Sequence, residues 1–141
     1  PGIMPPQLVI EVTETALMDG QLAGTNLEAL RHMGVVVSLD DFGTGYHSTA
    51  QLTRLPVDVL KIDRHFVDAS SAAGRSLLEL MVKTAHAFGT RVVAEGVEHQ
   101  DQLDLVRRLG CEYAQGYYLG MPAPAERMQP VEPLERDELA G

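Results

Sequence analysis

Short apolar runs alternate along the chain with longer stretches whose apolar residues recur at helical spacing. The runs predict five strands, over residues 8–12, 35–39, 57–62, 91–94 and 112–118. The longer stretches predict helices over 21–33, 76–88 and 100–109, ended by Gly34, Gly89 and Gly110. In the second of these helices, we expect Leu77, Met81, Ala85 and Phe88 to form the buried face.

This alternation of strands and helices predicts an α/β fold with a parallel sheet. The strands are nearly continuous apolar runs, which is typical of strands covered on both faces by helices or by the interior of a barrel. We find no internal repeat in the sequence. After Pro122 the pattern fades, and an acidic segment over 131–141 predicts a short helix or a frayed tail.

Polar residues fall at or near the ends of the first four predicted strands and inside the fifth. They are Glu11, the pair Asp40 and Asp41, the pair Lys61 and Asp63, Glu95, and Gln115. Because the carboxyl ends of parallel strands share one edge, we expect these side chains to lie close together.

Converging carboxylates repel one another unless cations neutralise them, and oxygen ligands favour Mg²⁺ or Mn²⁺. Because they are adjacent, Asp40 and Asp41 would be able to bridge two ions, and Lys61 would hold the attacking water or neutralise charge on a phosphate. Each residue also has a simpler interpretation. Asp40 and Asp41 suit a helix cap and turn, and Glu11 and Lys61 suit a solvated strand edge.

Composition narrows the possible functions. With 141 residues, a net charge of −9 and a pI near 4.9, the chain lacks the positive field of a nucleic-acid reader. We expect neither a signal peptide nor a membrane span within these residues, because they contain no apolar run long enough to cross a bilayer. Its single cysteine, Cys111, excludes a disulfide framework and predicts a buried thiol in a reducing, cytoplasmic setting. The five histidines lack metal-ligand spacing, and we expect them at the surface.

Five short motifs occur in order along the chain. They are Glu11-Val12-Thr13-Glu14, Asp40-Asp41-Phe42-Gly43-Thr44-Gly45-Tyr46, Lys61-Ile62-Asp63, Ala94-Glu95-Gly96-Val97-Glu98 and Gln115-Gly116-Tyr117. This series closely resembles the EAL family, the bacterial phosphodiesterases that linearise cyclic di-GMP, and the resemblance runs from about Leu8 to Pro122.

The resemblance implies a role for each motif residue. Glu11, Asp40, Asp41 and Glu95 resemble metal ligands, with Asp40 bridging two ions and Glu95 a ligand or base. Lys61 resembles the lysine that positions the nucleophilic water, and Gln115 the glutamine that supports the site. Glu14 resembles the glutamate that braces the Asp-Asp-Phe-Gly loop and links the site to dimerisation. Asp63 and Glu98 would lie behind the ligands or on the substrate side.

The resemblance also implies a TIM-like (β/α) barrel, of which this chain supplies about the five C-terminal β/α units. A complete barrel of this kind needs about 250 residues. The Glu-Ala-Leu motif, an asparagine ligand and a substrate-binding arginine of the family lie upstream and have no counterpart here. His47-Ser48-Thr49 also departs from the family pattern. We expect residues 1–124 to form the barrel part and residues 125–141 an acidic tail.

The implied activity is metal-dependent hydrolysis of cyclic di-GMP to linear pGpG with Mg²⁺ or Mn²⁺, by a homodimer. The parent chain would carry an upstream sensory or GGDEF-type domain, and any membrane anchor would lie outside this segment. Two alternatives stay open. The chain could belong to a catalytically inactive module that binds cyclic di-GMP, or it could be a truncated interaction fragment. A half barrel exposes sheet edges and an apolar face, which predicts instability unless the chain dimerises or is completed.

Overall fold

A computed structural model describes residues 2–13, 16, 21–43 and 56–128, with only the backbone for 21–23. Its strands are β1 (Val9–Thr13), β2 (Val36–Phe42), β3 (Val59–Ile62), β4 (Arg91–Ala94) and β5 (Tyr113–Ala114). Its helices are α1 (Gln21–His32), α2 (Arg64–Val67), α3 (Ala72–Ala87) and α4 (Gln100–Leu109), with single 3₁₀ turns at Pro5–Gln7 and Ala125–Arg127.

The five strands form one sheet in which spatial order follows chain order and every pairing is parallel. The predicted α/β class and parallel sheet are therefore confirmed. All five strands point the same way, so their carboxyl ends meet at one edge. That edge carries the polar residues singled out in the sequence.

The two faces of the sheet differ in composition. One face packs against the helices, and its core residues include Val37, Leu39, Leu60, Ile62, Val92 and Ala94 from the strands and Leu78, Val82, Leu103 and Val106 from the helices. The opposite face, called the inner face below, carries Val9, Glu11, Val36, Ser38, Asp40, Val59, Lys61, Val93 and Tyr113. Val9 and Tyr113 there are 52% and 45% exposed, so the inner face is only partly covered by the described residues.

Several element boundaries differ from the prediction. β2 runs through Asp40 and Asp41 to Phe42, so the two aspartates lie inside the strand and not after it. β5 contains only two residues, and β3 begins at Val59. The short helix α2 was not predicted, and α3 begins at Ala72, where the Ser71 hydroxyl accepts a hydrogen bond from the Gly74 N–H.

The predicted buried face of α3 is wrong in part. Met81 and Ala85 are buried as expected, whereas Leu77 and Phe88 are 45% and 39% exposed. Leu78 and Val82 take the buried positions instead. Residues 77–82 contain five apolar side chains, so spacing alone does not select one face. The sheet selects it by packing.

Asp58 ties three elements together at the amino-terminal edge of the sheet. One carboxylate oxygen accepts hydrogen bonds from the Arg31 guanidinium at 2.8 and 3.0 Å. The other accepts from the Val37 N–H at 2.9 Å. The end of α1, the start of β2 and the start of β3 are thereby joined by one side chain.

Glu112 makes the equivalent connection two strands further along the sheet. Its carboxylate accepts a hydrogen bond from the Val92 N–H at 2.8 Å and lies 3.2 Å from the His86 ring. The two acids each precede a strand, and each joins the preceding strand to the last turn of a helix. The sequence gives no repeat, but the fold repeats this connection.

The fold also tests the predictions for the glycines that end helices, for Cys111 and for the histidines. Gly34, Gly89 and Gly110 follow their helices with positive φ, as expected of glycines that end helices. Cys111 is buried, and burial with the nearby Glu112 carboxylate raises the pKa of its thiol to about 12. None of the helices in the described ranges combines the length and apolar character that a membrane span requires. The four histidines within those ranges are exposed, and His47 lies outside them.

Candidate active site

Lys61 lies at the centre of a carboxylate cluster on the inner face. Its side chain is 9% exposed, and its ammonium lies 2.8 Å from Glu95, 3.0 Å from Glu11 and 3.0 Å from Asp40. These four residues come from β1, β2, β3 and the end of β4, so the parallel sheet brings them together. An ammonium has three N–H donors, and each has one carboxylate within reach.

The pKa values of Lys61 and Glu95 reflect this enclosure. Burial lowers the pKa of Lys61, but hydrogen bonds to Glu95, Glu11 and Asp40 outweigh it and hold the pKa above its ordinary value. Burial raises the pKa of Glu95, opposed by Lys61 and assisted by the negative charges of Asp40 and Asp41. Lys61 therefore remains a cation throughout the physiological range of pH.

Asp40 and Asp41 sit at a break in the pairing of β2 with β3. The register shifts between Leu39 and Phe42, and Asp41 adopts a left-handed conformation with φ of 55°. Aspartate tolerates this conformation better than most residues. The irregularity re-aims the second aspartate, so that one oxygen each from Asp40, Asp41 and Glu95 lies within 4.8 Å of the others.

The remaining predicted residues are not joined to this cluster by hydrogen bonds or ion pairs within the described ranges. Asp63 caps α2 and accepts hydrogen bonds from the backbone and ring of His65. Burial raises the pKa of Asp63, but these bonds outweigh it and hold the pKa below its ordinary value. The Glu98 side chain is exposed at the approach to α4. Glu14 lies outside the described residues.

Gln115 is placed by its backbone. Its N–H donates to the Ala94 carbonyl at 2.8 Å, and its own carbonyl accepts from the Val97 N–H at 3.0 Å. These bonds continue the pairing of β4 and β5 beyond the two residues of β5. The Gln115 side chain is exposed at the same edge that carries Glu95.

Comparison with known proteins assigns the family. A family model described as the EAL domain matches residues 2–122. This chain belongs to the EAL domain family. The predicted resemblance is thereby confirmed, and it extends over most of the chain.

This EAL chain is similar to several proteins with known activities or ligands. It is 43% identical over 130 residues to the bifunctional diguanylate cyclase/cyclic di-GMP phosphodiesterase MucR of Pseudomonas aeruginosa, covering 90% of this chain and 19% of MucR. It matches the structure of PaMucR phosphodiesterase in complex with c-di-GMP, with a TM-score of 0.81 and 42% identity, over 88% of this chain and 51% of that one. It matches the manganese and cyclic di-GMP complex of Klebsiella pneumoniae BlrP1, with a TM-score of 0.78 and 32% identity, over 85% and 31% of the two chains.

The EAL chain covers only part of these proteins. It spans 16% to 19% of the first curated relatives that it matches and about half of the PaMucR chain. The neighbours are EAL domains, which are TIM-like barrels, and the five-stranded parallel sheet is consistent with part of such a barrel.

The donor set of the EAL chain fits a hard divalent cation. Asp40, Asp41 and Glu95 offer carboxylate oxygens at distances that allow one ion to contact all three. Glu11 adds a fourth carboxylate beside Lys61. Neither histidine nor cysteine is among these groups, which favours Mg²⁺ or Mn²⁺ over zinc.

A glycine in the last motif has a packing role that the sequence analysis did not assign. A Cβ on Gly116 would lie 2.1 Å from the Val97 carbonyl oxygen, closer than atoms can approach. The absence of a side chain lets the segment after Gln115 lie against the segment after Glu95. In the sequence, an acid or amide at a strand end is followed by glycine more than once. This repeated pattern was the signal that could have indicated close packing of the backbone.

Proposed function

We propose that this chain supplies the metal-binding edge of a phosphodiesterase that hydrolyses cyclic di-GMP to linear pGpG. The observation that carries the proposal is the cluster in which Lys61 meets Glu11, Asp40 and Glu95, next to the oxygens of Asp41. The structures of similar EAL domains with c-di-GMP and with manganese support it. In the reaction, a water oxygen bonds to phosphorus, one sugar oxygen leaves, and the leaving oxygen takes a proton.

In this proposal, Glu11, Asp40, Asp41 and Glu95 would hold two divalent ions, Mg²⁺ or Mn²⁺. When bound, such ions polarise the phosphate and lower the pKa of water. Lys61 orients the attacking water and balances the negative charge that develops on the phosphate oxygens. Glu95 is a ligand or a base in this proposal, and its partly buried carboxylate would accept a proton from the attacking water.

The other predicted residues have supporting roles in the proposal. Gln115 contacts the water or substrate from the end of β5, and Glu14 braces the loop after Asp41. Asp63 and Glu98 lie behind the ligands or on the substrate side. These assignments rest on the family motif and on the shared edge of the sheet.

We further propose that additional upstream β/α units, like those in the longer relatives, complete the barrel against the inner face. We call this chain, preceded by those units of its parent protein, the completed domain. The larger size of the relatives also supports an upstream sensory or GGDEF-type domain. We also propose that the protein lies in the cytoplasm and forms a homodimer.

The test is the conversion of cyclic di-GMP by the completed domain, followed by chromatography, with Mn²⁺ and with EDTA. We expect metal-dependent pGpG, and a loss of at least about a hundredfold on Asp40→Asn, because the variant removes a charge that holds the ions. Asp101→Asn removes an exposed aspartate on α4 and should leave the rate unchanged.

Two results would contradict the proposal. A folded completed domain that binds Mn²⁺ but forms no pGpG would indicate a cyclic di-GMP-binding module instead of an enzyme. Equal activity of the Asp40→Asn variant and the unaltered domain would exclude Asp40 from the reaction.

A further inference from the structure

Ser38 is a buried polar residue that the proposed reaction does not use. It is 1% exposed, and its hydroxyl oxygen is buried without a hydrogen-bond partner in the described part of the chain. Leaving a buried hydroxyl unsatisfied costs about 1–3 kcal/mol. Such a group in a native structure therefore calls for an explanation.

The strand register places Ser38 beside the carboxylate cluster. Ser38 pairs with Glu11 on β1 and with Val59 on β3. Residues paired in register on adjacent parallel strands point to the same face and lie about 4.8 Å apart. Ser38 therefore lies next to Glu11 on the inner face, and it lies two residues before Asp40 on the same strand.

The enclosure of Ser38 limits where its partner comes from. Residues of this chain already seal the hydroxyl from solvent, so its partner is one of the groups that surround it. Lys61 is itself a donor, and each of its three N–H groups has a carboxylate within reach. The neighbouring side-chain acceptors for the Ser38 hydroxyl are therefore the carboxylates. Asp40 accepts from Lys61 and from the Asp41 N–H through one oxygen, but it lies two residues along the strand, about 6.6 Å from Ser38 against about 4.8 Å for Glu11. Glu11 contacts Lys61 through one oxygen and has a half-exposed side chain that is able to turn.

We propose that Ser38 is a positioning residue for Glu11: its hydroxyl donates a hydrogen bond to the Glu11 carboxylate and orients that carboxylate toward the metal. The inference rests on the proposed function, because it assigns Glu11 as a ligand. Hydrogen bonds from the protein to ligating carboxylates fix the orientation of the ligand and raise metal affinity. Ser38 is suited to this role because its strand position is rigid, whereas Glu11 has three rotatable bonds.

The test is Mn²⁺ affinity, measured by calorimetry on the completed domain without substrate. Ser38→Ala should weaken Mn²⁺ binding about tenfold, the lower end of the effect expected for removing such a partner. In EDTA, the melting temperature of this variant should lie within a few degrees of that of the unaltered domain, because one hydrogen bond to a half-exposed carboxylate contributes little to stability. Added Mn²⁺ should then raise it by less.

Thr90→Val is the matched control. Thr90 also has a buried hydroxyl, which donates to the Ala85 carbonyl at 2.7 Å, and it precedes β4 at the opposite end of the sheet. This variant should lower the melting temperature without changing Mn²⁺ affinity. Ser38→Cys keeps the shape of the side chain and weakens the hydrogen-bond donor, so its Mn²⁺ affinity should lie between those of the serine and alanine forms. It replaces Ser38→Ala in the measurement if the alanine variant does not fold.

The outcomes separate this inference from the proposed function. If the unaltered domain binds Mn²⁺ and Ser38→Ala binds it equally well, the inference is overturned and the metal site stands. If the unaltered folded domain does not bind Mn²⁺, both are overturned. Weaker binding by Ser38→Ala, with unchanged binding by Thr90→Val, supports the inference.

Discussion

Lys61 shows how one residue can stabilise three strands at once. Its ammonium contacts carboxylates from β1 and β2 and from the end of β4, and no two of these contacts lie on the same element. The carboxylates differ in exposure, from 51% for Glu11 to 18% for Glu95. The contacts with Glu95 and Asp40 are therefore less screened by water than the contact with Glu11.

At the residue scale, we expect Lys61→Met to lower the free energy of unfolding of the completed domain by about 2–3 kcal/mol in EDTA. The variant leaves three carboxylates without a cation, and breaking a buried pair costs about 3–5 kcal/mol before allowance for the exposure of Glu11. Urea unfolding measures the difference. Lys83→Met is the control, because the pair of Lys83 with Glu79 is exposed and worth about 0.5 kcal/mol or less.

The loss in Lys61→Met should be constant between pH 6 and pH 9. The folded pKa of Lys61 is raised. Its stabilising effect is therefore fully present below the pKa of lysine in an unfolded chain, about 10.4, and disappears only as pH rises through the folded value. A stability difference that vanishes between pH 6 and pH 9 would contradict this assignment of charge.

At the element scale, Asp58 holds α1, β2 and β3 together through two kinds of donor, a guanidinium and a backbone N–H. Asp58→Asn keeps the shape but offers one acceptor oxygen and an NH₂ group, so one donor loses its partner. We expect a loss of about 1.5–3 kcal/mol in urea unfolding.

Asp104→Asn provides the comparison for Asp58→Asn. Asp104 is an acid on α4 that accepts from the Gln100 amide near the helix surface, so its change should cost less than about 0.5 kcal/mol. Equal losses in the two variants would show that Asp58 does not connect the three elements.

The sequence predicted the elements that depend on local signals and missed those that depend on neighbours. The glycines after α1, α3 and α4 end helices because of their own conformational freedom. The break at Asp41 depends on the pairing of β2 with β3, which no local pattern contains. The buried state of Ser38 likewise depends on what packs around it, since a serine inside an apolar run carries no signal of burial.

The sequence predicted the residues at the centre of the candidate site but not the contacts made around them. Glu11, Asp40, Lys61 and Glu95 converge because they lie on one face of a parallel sheet, within or just after neighbouring strands, and the alternation of strands and helices already implied that geometry. The partner of Asp63, His65, lies on a helix too short to leave a periodic pattern. The side chains of Gln115 and Glu98 are exposed, so their functional contacts remain predictions.

At the scale of the whole molecule, the inner face decides how the chain behaves alone. Val9 and Tyr113 are about half exposed on a face that a complete barrel would enclose. We expect residues 1–141 alone to bind the dye ANS and to unfold over a broad temperature range, and the completed domain to do neither. A monomer of the 141-residue chain that unfolds sharply and binds no dye would contradict this expectation.

The contact between Gly116 and the Val97 backbone has a consequence for inheritance. Every single-base change of a glycine codon that alters the amino acid adds a side chain, and the Cβ alone would collide with the Val97 carbonyl oxygen. Every missense mutation that one base change produces at this codon therefore disturbs the structure. Gly116 therefore tolerates no single amino-acid substitution without a shift of the backbone around it, although it takes no part in the chemistry.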